Sequence, residues 1–154
     1  MKYYEAPQQI DFKDFDNSIF LGGSITGAVD WQKEAAEKLL PYFNVINPRR
    51  ANYSTLDPKT EEEQITWEYY AMLCVDNILF WFSNETLAPI TLFEYGKLLG
   101  RKINGQRLFI GIHPEYQRKN DVIIQTKLEN KELYLNINFS LDDLIKQVIE
   151  SRDY

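Results

Sequence analysis

The chain is poor in the residues that make disulfides, metal centres and redox sites. It carries one cysteine, Cys74, one histidine, His113, and two methionines among 154 residues. One thiol excludes a disulfide within the chain. One cysteine with one histidine falls short of a Cys/His zinc site. Cys74 stands beside Leu73 and Val75 in a helical pattern, and it reads as a small buried apolar residue rather than a nucleophile. His113 ends an apolar run and precedes Pro114, the setting of a loop histidine.

Positive charge is also scarce. Seventeen Lys and Arg face 23 Asp and Glu, a net charge of −6. A broad phosphate-backbone contact surface needs a basic patch, so nucleic acid is not expected as a partner. A single nucleoside or nucleotide remains compatible with an acidic protein. No run approaches the roughly 18 apolar residues that span a membrane. The opening "MKYYEAPQQIDFKDF" has no apolar core of signal-peptide length. No membrane partner and a cytoplasmic location are the expectations.

What is present is a core. The apolar fraction is 44%, enough to fold one domain over residues 1–154. "SIFLG" (18–22) reads as a strand feeding a glycine-rich turn. Asp30 caps "WQKEAAEKLLPYF", whose Trp31, Ala35, Leu39 and Tyr42 recur at helical spacing. "NVIN" is a second strand, and "ANYSTLDPKT" a loop. "EEEQITWEYYAMLCV" is a helix with acids in its first turn. "NILFWF" is apolar throughout, like a strand covered on both faces. A third helix runs from about Thr91 to Lys102, and "RLFIGIH" is a fourth strand. "DVIIQTKLEN" fits helix or strand. "LYLNIN" is predicted as the fifth strand, and Ser140 caps a terminal helix.

Strands alternating with helices predict an α/β fold: a mostly parallel five-stranded sheet with helices on both faces. Ligands of such sheets bind beyond the carboxyl ends of the strands. That rule marks the loops 22–30, 47–53 and 83–91 and the residues after His113.

Four motifs fall there or near. In "LGGSITG", Gly22 and Gly23 let backbone approach a ligand, and Ser24 can donate to a sugar or phosphate. Ser24 breaks the G-x-G-x-x-G pattern and no Walker lysine is present, so a dinucleotide or P-loop site is disfavoured. A tight turn without a ligand is the rival reading. In "NPRR", Asn47 and Arg49 close a strand and can hold phosphate or a base edge, or Arg49 and Arg50 can be a solvated pair. Glu94 lies in "LAPITLFEYG". Thr91 and Glu94 fit a capping box, yet a helix start at the ligand edge also suits a nucleophilic carboxylate. Glu68 stands among Trp67, Tyr69 and Tyr70, either as a solvated charge or as a second acid of a site. Asp76, just before the third strand, is read as a loop-bonding residue or a site residue.

Together "IFLGGSITGAVDWQ", "VINPRR", "ITWEYYAMLCVDNILFWFSNETLAPITLFEYGK" and "RLFIGI" resemble the nucleoside 2-deoxyribosyltransferase family, in particular its small divergent branch. The resemblance covers roughly residues 18 to 112 and implies a Rossmann-like or flavodoxin-like three-layer sandwich. It implies cleavage of an N-glycosidic bond, with Glu94 as nucleophile and Glu68 nearest to an acid that holds the base. It also implies an acid shortly before the nucleophile, for which Glu85 is nearest, and a homo-oligomer whose neighbouring subunit completes the site. The expected partners are a nucleoside or nucleotide and a free base. The chemistry requires no metal or organic cofactor. Trp81, Phe82 or Tyr53 could stack on the base. The rival functions are a deoxynucleoside monophosphate N-glycosidase and a non-catalytic nucleotide-binding protein.

Overall fold

Alternation along the strands decides which layer each side chain joins. In a computed structural model of the chain, residues 1–51, 57–101 and 105–153 are described. Among the described residues five strands are present: β1 (Tyr3–Glu5), β2 (Ser18–Gly23), β3 (Asn44–Asn47), β4 (Asn77–Phe82) and β5 (Arg107–Ile112). They form one sheet in the order β1-β3-β2-β4-β5, with every pair parallel. Phe20, Ile46, Ile78, Phe80, Phe82, Ile110 and Ile112 project to one face, and Ile19, Leu21, Val45, Leu79, Trp81 and Phe109 to the other. Period-two alternation with both sets apolar is what a sheet covered on both faces requires.

The helices are α1 (Trp31–Leu39), α2 (Pro58–Cys74), α3 (Pro89–Leu99), α4 (Lys119–Glu129), α5 (Lys131–Leu135) and α6 (Leu141–Glu150). The first face packs on α2, α3, α4 and α5 through Ala71, Met72, Tyr95, Leu98, Val122 and Leu133. The second packs on α1 and α6 through Trp31, Ala35, Leu39, Leu144, Ile145 and Val148. The result is the three-layer Rossmann-like sandwich. Each such fully buried side chain contributes about 1.5–3 kcal/mol. Asp30 and Ser140 cap α1 and α6 by accepting from the Lys33 and Asp143 amides.

Several expectations change. The fifth strand is not "LYLNIN": Lys131–Leu135 is α5, and only Asn138 bridges to the edge of β5 at Gly111. The edge strand comes instead from the N-terminus, Tyr3–Glu5 beside β3. Leu133 is buried while Leu135 is exposed, and Asn130 caps the turn through the Leu133 amide, so the local hydrogen bonding favours a helix. "DVIIQTKLEN" lies in α4. Cys74 is exposed at the end of α2 rather than buried. Among the described residues no helix is long and apolar enough to cross a membrane.

The capping box also gives way. The N-cap of α3 is Ala88, held at φ 49°, with Pro89 opening the helix. Thr91 is already inside the helix and buried, and Glu94 lies in the second turn. Proline at the first helical position is pre-set for a helix start and gives up no hydrogen bond there.

Strand order reverses between β2 and β4, because the chain first moves outward to β3 and then returns. A crevice is expected beyond the carboxyl ends of those two strands.

Candidate active site

A cavity of about 370 Å³ occupies that crevice. It is lined by the turn after β2 (Gly22 to Thr26), by Pro48 and Arg50 after β3, and by the β4–α3 segment from Thr86 to Thr91. Helix α2 adds Glu61, Gln64, Ile65 and Glu68, whose spacing places them on one face. Glu94 of α3 completes the lining. The two acids singled out in the sequence therefore meet in one cavity, from two different helices.

The loops are tied to one another. The Ser24 and Thr86 hydroxyl oxygens lie 2.6 Å apart and share one hydrogen bond, joining the β2 and β4 turns. Whichever of them accepts keeps its own proton for a ligand. The Ser24 carbonyl accepts from Trp31 Nε1 (3.1 Å) and Gln32 Nε2 (3.2 Å). The Tyr116 hydroxyl donates to the Leu87 carbonyl at 2.8 Å, holding the segment that turns into α3. Ala88 in the left-handed region costs of order 1 kcal/mol for a residue other than glycine, a strain that clusters at functional sites.

The electrostatics follow from burial. Glu94 is pushed up from the ordinary 4.5 to about 8, first by desolvation and then by the charge of Glu68; Lys97 acts in the opposite sense. The helix dipole fades beyond the first turn, so the second-turn position gives Glu94 little relief. The Lys97 ammonium sits 5.0 Å from the Tyr69 ring and 5.1 Å from that of Phe93. Glu68 is also raised, by desolvation, and a hydrogen bond from Gln64 opposes the rise. The charge of Glu68 opposes ionisation of Glu94, so the two carboxyls of this cavity ionise together less readily than either would alone.

Not every predicted residue reaches the cavity. Arg49 turns away, its Nε 2.9 Å from Asp30 Oδ1 and its Nη2 3.1 Å from Gln32 Oε1. Its neighbour Arg50 lines the cavity instead, paired with Glu63 at 2.7 Å. Asn47 is buried beneath, donating to the Tyr3 hydroxyl and accepting from the Arg49 amide. Asp76 precedes β4, so it stands at the amino end of the sheet, opposite the cavity, accepting from the Asn17 amide at 2.6 Å. Glu85 is exposed and outside the lining. Trp81 and Phe82 are core residues on opposite faces of the sheet. Tyr53 falls outside the described residues, and the third helix, expected to run to about Lys102, ends at Leu99 with Gly100 as its C-cap. Gln64 and Thr86 were not singled out in the sequence; the one signal for Gln64 was its place one turn before Glu68.

The sequence profile of a family described as nucleoside 2-deoxyribosyltransferase like matches residues 16–116, which run from the approach to β2 to just beyond β5. The chain belongs to the nucleoside 2-deoxyribosyltransferase-like family. No curated protein matches the chain. The matched span contains every lining residue of the cavity, so the family relationship and the acid pair fall on the same part of the molecule.

Proposed function

We propose that the protein cleaves the N-glycosidic bond of a 2′-deoxynucleoside and transfers the deoxyribosyl group to another base. The observation that carries this reading is the meeting of Glu94 and Glu68 in one crevice-end cavity, within the family-matched span. Glu94 is the nucleophile and Glu68 the proton donor. Glu94 attacks C1′ while the C1′–N bond pair leaves with the base and the Glu68 proton passes to the base nitrogen. The products are a deoxyribosyl ester on Glu94, a neutral base and ionised Glu68. An incoming base then loses its N–H proton to Glu68 as its nitrogen attacks C1′ from the vacated face, and Glu94 is released. Two inversions give retention, as in retaining glycosidases. The transition state is cationic at the sugar, and an anion beside it in a water-poor cavity stabilises it strongly.

The reactive form has Glu94 ionised and Glu68 protonated, and a base nitrogen hydrogen-bonded to Glu68 favours it. The segment Gly22 to Thr26 lines the cavity, and Ser24 with Thr86 offers a hydroxyl to the sugar. A second copy of the chain, closing the mouth over the exposed Ile65, Ile90 and Phe93, is part of the reading. A cytosolic setting goes with it, since an exposed lone thiol suits a reducing compartment.

A second reading is hydrolysis of a deoxynucleoside 5′-monophosphate, with water as acceptor. Arg50, Ser24 and Thr86 in the lining favour it, as phosphate-binding groups. Incubation with deoxyadenosine, deoxycytidine and their monophosphates, with and without free base, followed by chromatography, separates the two. A new nucleoside formed only with added base supports transfer; sugar release without it supports hydrolysis. Glu94→Gln is expected to lower either by about 10³-fold or more. Undiminished turnover in that variant sinks the mechanism.

A further inference from the structure

We propose that Gln64 is a positioning residue, which fixes the oxygen of Glu68 that carries the proton to the leaving base. This rests on the reading of Glu68 as proton donor. Gln64 is 5% exposed, and its Nε2 lies 2.7 Å from the Pro48 carbonyl and 2.7 Å from Glu68 Oε1. The Pro48 carbonyl can only accept, so the atom facing it is the amide nitrogen, and the orientation of the amide follows. Both N–H bonds are then committed, one to the end of β3 and one to Glu68. Among the described residues the buried Gln64 oxygen has no partner.

Internal hydrogen-bond balance does not account for that arrangement, since a buried acceptor is left unmet while both donors are held on target. Its effect falls on Glu68. Oε1 receives an N–H and serves as the carbonyl oxygen, so the proton of neutral Glu68 sits on Oε2. In the transfer step the Oε2–H bond breaks and an N–H bond forms on the departing base. Among the described residues, the charged groups that line the cavity with Glu68 are Glu61 of its own helix, Arg50 after β3 and Glu94 of α3, on which Lys97 also acts. Gln64 supplies a neutral donor among them. It favours the ionised Glu68 left after proton release, without adding a charge that would hold Glu94.

Two measurements test this. The carboxyl carbons of labelled glutamate are titrated by NMR in the whole protein, with the Glu68 signal assigned by its loss in Glu68→Gln. Gln64→Met, close in shape, is expected to move the Glu68 titration to higher pH. Gln64→Asn, which retracts the amide by one methylene, should do the same. Where turnover is measurable, the alkaline limb of the rate profile moves up with it. The kcat then falls about tenfold while KM changes less than roughly threefold. In a Glu68→Gln background Gln64→Met adds less than about twofold, because the group it acts through is gone. An unmoved Glu68 titration in both variants, or a full further loss on top of Glu68→Gln, overturns the role. Absence of turnover on every nucleoside would overturn the proposed function instead, and the titration would still decide for or against Gln64.

Discussion

At the residue scale, the decisive contrast is between two glutamates and the residues that resemble candidates but point elsewhere. Glu94 and Glu68 share a cavity, while Asp76, equally acidic, stands at the wrong end of the sheet. Asp76 immediately precedes β4, whereas Glu68 lies back along α2 and Glu94 follows β4 on α3, and a parallel sheet makes that distinction chemical. The pair also sets a pH window. Below its first ionisation both acids are protonated and Glu94 cannot attack. Once the second proton leaves, no acid remains for the base. A bell-shaped kcat/KM profile is expected, measured on the free enzyme at limiting substrate. Glu68→Gln is expected to lower kcat by roughly 10²–10⁴-fold on a natural deoxynucleoside. The same variant should lose far less on a deoxyriboside with a phenolate leaving group that departs without a proton. Equal losses on both substrates would remove Glu68 from the acid role.

At the scale of elements, most of the architecture was legible because the signals were strong and local. "NILFWF" could be little other than a strand covered on both faces, and all six of its residues are buried. Asp30 and Ser140 announced their helices by cap chemistry. The misreadings share a cause: short segments whose state is decided by partners distant in sequence. "LYLNIN" has strand-like alternation, yet the edge of β5 receives only Asn138, and the other edge of the sheet is filled by Tyr3–Glu5. The Thr91 capping pattern was outcompeted by Pro89, which starts the helix earlier. In "NPRR" the sequence marked the right turn but could not say which arginine faces the cavity. The glycine turn after β2 invites a direct test. A Cβ on Gly23 would stand 2.5 Å from Trp31 Cζ2 and 2.6 Å from the Trp81 carbonyl oxygen. Backbone on one side and a packed indole on the other leave no room to yield. Gly23→Ala is expected to destabilise by about 1–3 kcal/mol in denaturant titration, as overpacking does. Because the same turn carries Ser24, activity should fall as well. A wild-type midpoint would contradict the packing described.

At the scale of the whole molecule, the cavity that desolvates Glu94 also weakens the fold at neutral pH. An unfolded glutamate ionises near 4.5, and Glu94 in the folded protein ionises at about 8. Below 4.5 both states hold the proton and the residue costs nothing. Between these values the unfolded chain has released a proton that the folded chain retains, so stability declines by about 1.4 kcal/mol per pH unit at most. Above 8 both are ionised and the loss is complete. Since Glu94 keeps contact with the cavity, the integrated penalty is expected at roughly 2–4 kcal/mol. Glu68, raised in the same direction, adds to it. The carboxylates that favour folding when ionised titrate elsewhere. Asp14, accepting from Lys2 and the Tyr4 hydroxyl, and Asp57, accepting from Thr60, are held below the usual range and act only in acid. The window from pH 5 to pH 8 therefore reads mainly the cavity acids. Thermal unfolding of the wild type should show a falling Tm across it. Glu94→Gln, neutral at every pH, should flatten that fall and be the more stable protein at pH 8. Parallel curves for the two proteins from pH 5 to pH 8 would mean that Glu94 ionises normally. The carboxyl would then not be desolvated in the cavity, and the electrostatic basis of the acid pair would be gone.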